Sequence, residues 1–185
     1  MKICVFGAAS ATINSQYIDA VEKMGEYLAL RGHSLVFGAG GKGLMGAAAK
    51  GFKKGGAYIH GVIPEFFKTG DISVVEPVFD QCDKVTYTQT MRERKEVMQD
   101  DADAFVIVPG GVGTFEELFE ILTLKQLGRH SKPIVIYNVM GYYNFMEQMF
   151  DHAIAEAFIR PEFKQLYHIF DDVKEMTDYI EVKGK

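Results

Sequence analysis

The sequence predicts an α/β protein built on a parallel sheet with helices on both faces. Two observations carry this reading. Short apolar runs alternate along the chain with helix-length stretches. Most of those runs are continuously apolar, as expected of strands covered on both sides. The chain has 185 residues, 48% of them hydrophobic and 24% charged, and is read as one domain over 1–185 with a sizeable core.

The strand candidates are 3–6, 34–37, 58–63, 73–78, 104–108 and 134–137. The helix candidates are 15–31, 43–55, 89–101, 114–128, 142–157 and 172–181. Asn14 or Ser15 is placed to cap the first helix and Asp171 the last. Residues 182–185 read as a frayed tail. Three glycine-bearing loops follow strands: Gly7-Ala8-Ala9-Ser10, Gly38-Ala39-Gly40-Gly41-Lys42-Gly43 and Pro109-Gly110-Gly111-Val112-Gly113. All three leave carboxyl ends of strands, so they are expected on one edge of the sheet, where such folds bind ligands.

The third loop is the most informative. It follows Ala104-Phe105-Val106-Ile107-Val108 and opens the helix that carries Thr114, Glu116 and Glu117. The first amides of a helix lack internal partners, and the helix dipole favours an anion beside them. Glycines there let a ligand approach the backbone closely. Acids in the first turn suit the dipole, but beside a bound phosphate they would repel it. A catalytic carboxylate accounts for that tension. Phe115, Leu118, Phe119 and Leu122 form the expected core stripe of this helix, with Glu116, Glu120 and Thr123 on another face.

A second signal lies upstream. Thr90 and Glu93 have capping-box spacing, and Met91, Arg94, Lys95 and Met98 share one helix face. The methionines mark that face as inward, so its two cations need anions. They either snorkel to surface acids or reach a ligand phosphate and the catalytic acids. Glu76, before Pro77, is a strand-end acid with no distinguishing context.

Several classes are disfavoured. The net charge is -5 with no basic block, which argues against nucleic-acid binding. No apolar run reaches membrane-spanning length, and the apolar start is too short for a signal segment, so a cytoplasmic protein is expected. Two cysteines make no disulfide framework, and the five histidines show no metal spacing. Gly38-x-Gly40-x-x-Gly43 has dinucleotide-fingerprint spacing, but it follows the second strand and lacks the ribose-binding acid after the next one. Lys42 is not followed by Ser or Thr, and the spacing is not that of a P-loop. No Gly-x-Ser-x-Gly elbow is present.

Met91-x-x-Arg94-Lys95-x-x-Met98 together with Pro109-Gly110-Gly111-x-Gly113-Thr114-x-x-Glu117 closely resembles the LOG ("lonely guy") family. Gly43-Leu44-Met45-Gly46, Gly61-Val62-Ile63-Pro64 and Gln126-Leu127-Gly128 resemble further family landmarks, in order. The family comprises cytokinin riboside 5'-monophosphate phosphoribohydrolases, often labelled lysine decarboxylases. The resemblance implies a Rossmann-like doubly wound fold and a homodimer with active sites near the subunit interface. It implies hydrolysis of the N-glycosidic bond of an adenosine 5'-monophosphate, without a cofactor or metal. Arg94 and Glu117 match the catalytic pair. Glu76, Arg94, Lys95, Gly110, Gly111, Val112, Gly113, Thr114, Phe115, Glu116, Glu117 and Thr123 match substrate-binding positions. The chain departs from the family pattern at Phe6-Gly7-Ala8-Ala9-Ser10, where relatives carry a Cys-Gly-Ser-Ser-like stretch, and at Arg92, a place often held by histidine. A rival of another class is a non-catalytic nucleotide or molybdenum-cofactor carrier of the same fold. A pyridoxal-dependent decarboxylase fits poorly, since no lysine has a Schiff-base context in the sequence.

Overall fold

The computed structural model describes residues 1–67 and 78–184. Among them, seven strands form one parallel sheet: β1 (Lys2–Phe6), β2 (Ser34–Phe37), β3 (Ile59–Pro64), β4 (Lys84–Thr88), β5 (Ala104–Ile107), β6 (Ile134–Tyr137) and β7 (His168–Phe170). Their order is β4-β3-β2-β1-β5-β6-β7. The chain builds outward from β1 to β4, then returns to lay β5 on the other side of β1. Strand order thus reverses between β1 and β5, which opens a crevice above their carboxyl ends.

Six α-helices connect or follow these strands: α1 (Ser15–Leu30), α2 (Gly43–Lys54), α3 (Met91–Asp101), α4 (Val112–Gln126), α5 (Asn144–Ala155) and α6 (Val173–Lys183). Alternate strand residues feed two cores. Ile3, Val5, Leu35, Phe37 and Val106 pack with Met24, Leu28, Phe52 and Met176 of α1, α2 and α6. Cys4, Phe6, Val36, Phe105 and Ile107 pack with Met98, Leu118, Ile121 and Phe150 of α3, α4 and α5. This is why the central strands read as unbroken apolar runs: both faces are covered. No helix among the described residues is long and apolar enough to cross a membrane.

The observed elements depart from the sequence reading in ways that have physical causes. The strands β4 and β7 have no counterpart among the strand candidates. Both are edge strands, and their mixed sequences, Lys84-Val85-Thr86-Tyr87-Thr88 and His168-Ile169-Phe170, lack the signature of two-sided cover. The candidate strand at 73–78 lies outside the described residues except for Val78, which bridges Gly40 in antiparallel fashion. Helix α4 starts at Val112, two residues before the expected 114, because Gly111 takes the extended conformation that precedes it. In its core stripe, Phe119 is exposed and leans edge-on against Phe150 of α5, while Ile121 is buried with Leu118 and Leu122. Asn14 caps α1 by accepting from the Gln16 amide. Asp172, not Asp171, caps α6 by accepting from Glu175, since Asp171 is engaged by the Asn138 amide group. The last turn of α6 continues to Lys183 and is no frayed tail. Ile180 is fully buried, and Met1 packs so near Gly184 that an added methyl there would touch it.

Helices α1 and α2 approach through glycines. A methyl group at Gly51 would lie 2.0 Å from the Glu22 carbonyl oxygen, and one at Gly25 would lie 2.5 Å from that of Ala48. Replacing a mid-helix glycine by alanine ordinarily gains up to about 1 kcal/mol. Here the clash is with rigid backbone and outweighs that gain. Gly51→Ala is expected to destabilise the protein by about 2 kcal/mol or more, read as a lower midpoint in urea denaturation.

Candidate active site

The loops after β1, β2 and β5 converge at the carboxyl edge of the sheet, at the reversal of strand order. A cavity of about 370 Å³ opens there. Its walls are Gly7 to Ser10, Met45, Met91 and Arg94, and the head of α4 with Gly111, Gly113, Thr114, Glu116 and Glu117. A smaller apolar recess of about 200 Å³ adjoins it, sharing Ala8, Ser10 and Gly111. The wider hollow of about 600 Å³ between α1 and the start of α6 holds none of these groups.

Two of the glycine loops look alike in sequence but differ in use. At the head of α2, the Leu44 and Met45 amides donate to the Ala8 carbonyl at 2.8 and 3.2 Å. That helix end is closed by the neighbouring loop. At the head of α4 the N-cap is Gly111, which has no side chain to cap the helix. The first four amides, from Gly111 to Thr114, are those a helix leaves without internal partners. A methyl group at Gly111 or Gly113 would meet open space. Of these two helix heads, it is α4 where room for a ligand and unspent donors coincide.

Arg94 is set by α3. Thr90 accepts from the Glu93 amide at 3.1 Å, and Glu93 in turn accepts from Gln89 at 2.7 Å, one residue ahead of the usual reciprocal partner. This fixes the first turn, and Arg94 enters the interior. Its side chain is only 9% exposed. Nε donates to the Val62 carbonyl at 3.2 Å and Nη2 to the Gly38 carbonyl at 3.3 Å. The guanidinium lies so close over Gly38 that a methyl group there would fall 1.6 Å from Nη2. The glycine that began the dinucleotide-like pattern thus serves as the seat of an arginine.

The remaining guanidinium nitrogen, Nη1, lies 3.6 Å from Glu117 Oε1. Glu117 sits in the second turn of α4 with its side chain 12% exposed. Burial pushes its carboxyl from the ordinary 4.5 up to about 7, against the pull of Arg94 and with a further push from Glu116. A carboxyl poised near neutrality beside a buried cation and a helix head suits proton transfer or stabilisation of a developing cation.

The other acids are spoken for. Lys95 Nζ reaches Glu116 at 2.5 Å and Glu120 at 3.1 Å. Gln99 also donates to Glu120 at 2.7 Å. Lys95 therefore holds α3 to α4 and does not line the cavity.

Of the remaining expected site residues, Gly110 lies beneath Thr114, whose Oγ1 would be 2.1 Å from a methyl group added there. Phe115 turns from the cavity to meet Tyr143 edge-on. Val112 is 86% exposed, and Thr123 is exposed farther along α4. Glu76 lies outside the described residues. The sequence reading passed over Gly38 as the seat of Arg94, and over Met45. Among the described residues, no group of three or more His, Cys, Asp or Glu is placed to hold a metal ion. Among the described residues, no lysine lines the cavity.

Comparison with known proteins bears on this geometry. The family model described as "Possible lysine decarboxylase" matches residues 45–180. An Arabidopsis thaliana protein named cytokinin riboside 5'-monophosphate phosphoribohydrolase LOG4 is 37% identical over 180 residues, spanning 97% of this chain and 81% of that protein. A second from the same plant, LOG1, is also 37% identical over 180 residues, spanning 97% and 82%. Among solved structures, the molybdenum cofactor carrier protein from Chlamydomonas reinhardtii superposes with a TM-score of 0.72 at 24% identity, covering 98% of this chain and 96% of that one. At that identity the likeness speaks for the fold. The family model and the near full-length relatives establish that the chain belongs to the LOG family, with the Rossmann-like parallel fold that the sequence predicts.

Proposed function

We propose that this protein hydrolyses the N-glycosidic bond of adenosine 5'-monophosphates, with or without an N6 substituent, releasing free base (cytokinin or adenine) and ribose 5-phosphate. The observation that carries this reading is the buried Arg94–Glu117 pair beside the open head of α4. The names of the relatives support the same reaction.

In this reading the 5'-phosphate docks on the amides of Gly111 to Thr114 and on the Thr114 hydroxyl. The sugar then lies toward Glu117. As the bond to the base breaks, its electron pair leaves with the base, which takes up a proton from solvent, and the proton that Glu117 takes from water returns there afterwards. Positive charge develops across C1' and the ring oxygen. Ionised Glu117 stabilises that charge and takes a proton from the water whose oxygen bonds to C1'. Arg94 favours the Glu117 anion against burial and is held toward it, since its other two donor groups are tied to backbone carbonyls. Glu76 is proposed to hold the ribose.

The working unit is proposed to be a cytoplasmic homodimer with sites near the interface. Val112, Phe119, Phe145 and Met149 are exposed apolar residues at the head of α4 and along α4 and α5. A second copy covering them would also approach Thr123. The rival reading, a carrier, has support from the fold likeness alone. It gives no reason for a near-neutral carboxyl beside a buried arginine. A screen of nucleoside 5'-monophosphates, with and without N6 substituents, separates the two by free-base release.

Glu117→Gln and Arg94→Ala are each expected to lower base release by about a thousandfold or more, with the circular-dichroism spectrum retained. Full activity in either variant would sink the assignment. Gly38→Ala tests the seat separately. Its new methyl group displaces the guanidinium of Arg94 rather than backbone, so turnover should collapse with the circular-dichroism spectrum retained.

The pH dependence has a definite sign. Glu117 is protonated below its transition near 7, so kcat should rise with pH through about 7 or above, because a bound phosphate anion raises the carboxyl further. Stability moves the other way. Ionising this group costs more in the folded chain than in the unfolded one, and the cost accrues as pH rises from 4.5 to about 7. The stability of Glu117→Gln relative to the parent should therefore rise between pH 4 and pH 8, by up to about 3 kcal/mol.

A further inference from the structure

The loop that leaves β5 has every carbonyl from Val108 to Gly111 engaged. Val108 accepts from the Tyr143 hydroxyl at 2.9 Å. Pro109 accepts from the Ala8 amide at 3.1 Å. Gly110 accepts from the Tyr142 hydroxyl at 2.6 Å. Gly111 accepts from the Phe115 amide at 3.0 Å. In a planar trans peptide the carbonyl and the following N–H point in opposite directions. There are no cis peptides among the described residues. Fixing the Gly110 carbonyl toward Tyr142 therefore fixes the Gly111 N–H away from it. Gly110 and Gly111 have no side chains that could impose this orientation themselves, and glycine peptides rotate most freely of all.

Tyr142 is itself held with care. Met140 and Gly141 before it adopt left-handed backbone, with φ of 54° and 71°. Asn138 accepts from the Tyr143 amide at 2.8 Å and donates to Asn144 and Asp171 at 2.9 and 3.1 Å. The turn is thus anchored on β6 and on the residue that follows β7. The Tyr142 ring meets Tyr17 and Tyr143 edge-on, at 6.3 and 5.0 Å between centroids. It lines the apolar recess and not the cavity that holds Arg94 and Glu117. The Tyr142 ring itself is exposed and belongs to neither core.

We propose that Tyr142 is a positioning residue for anion binding: through the Gly110 carbonyl it aims the Gly111 amide at the phosphate of the ligand. The inference rests on the proposed phosphate site at the head of α4, but not on turnover there. Preorganised amides bind an anion without first being ordered, and a freed glycine peptide forfeits that advantage.

The test is Tyr142→Phe, which removes the hydroxyl and keeps the ring contacts. Ribose 5-phosphate and inorganic phosphate are titrated by calorimetry into the parent, Tyr142→Phe and Tyr179→Phe. The last loses a hydroxyl whose partner, His168, is remote from the cavity. Both phosphates should bind Tyr142→Phe about five- to tenfold more weakly, the size of one lost hydrogen bond, and Tyr179→Phe like the parent. In turnover, KM should rise by the same factor with kcat within about twofold. Unchanged phosphate affinity in Tyr142→Phe overturns the inference, as does an equal loss in Tyr179→Phe or a fall in kcat at constant KM. A parent that binds both phosphates but releases no base from any nucleotide would overturn the proposed reaction and leave this inference standing.

Discussion

Everything at the carboxyl edge of the sheet turns on the burial of one ionisable carboxyl, Glu117, beside one fixed cation, Arg94. Burial favours the neutral acid, and the guanidinium favours the anion. The balance leaves the group near neutrality rather than at either extreme. A buried ion pair is a poor source of net stability, but losing one partner strands the other charge. Arg94 is therefore restrained from three sides: two backbone carbonyls and Glu117. The carbonyls take up donors that would otherwise be buried unsatisfied, and they fix the plane of the fork. What is left pointing at Glu117 is a single, aimed nitrogen.

That arrangement explains how the glycines are used. Gly38 is small because a guanidinium occupies the place of its side chain. Gly43, with φ of 58°, allows the first loop to press its Ala8 carbonyl onto the head of α2 and close it. Gly111 and Gly113 face open space. Similar glycine patterns thus mark an arginine seat, a sealed helix end and a ligand opening. Spacing alone could not have told them apart, because what differs is which neighbour fills the gap.

The same limit governs what was legible in the sequence. Central strands were readable since cover on both faces leaves an unbroken apolar run, as in Ala104 to Ile107. The edge strands β4 and β7 were not, because a strand with one neighbour tolerates Lys84 or His168. The inward turn of Arg94 was readable from its place between Met91 and Met98. Its destination was not, since Gly38 and Val62 are far away in sequence and join it only through the order of the sheet. Of the others on that helix face, Met91 is exposed at the cavity rim, and Lys95, though nearly as buried as Arg94, turns to the α4 acids. Glu76 and most of the 73–78 segment lie outside the described residues; the strand reading there rests on the apolar run, and the role of Glu76 on the resemblance.

The crowding of acids at the head of α4 now has a local account. Glu116 and Glu120 share the Lys95 ammonium, so they present less repulsion to a phosphate than their sequence positions suggest. Glu116 also borders the cavity, but only Glu117 among these acids is paired there with Arg94. With Glu117 neutral, the two cations balance the two outer acids, and the helix head tips the site toward an anion. With Glu117 ionised, the cluster carries one excess negative charge, which weakens phosphate binding but stabilises an oxocarbenium-like cation. Binding and chemistry therefore favour opposite protonation states of the same group. An enzyme with this site works best where the acid is easily switched between them, and a carboxyl held near 7 meets that demand.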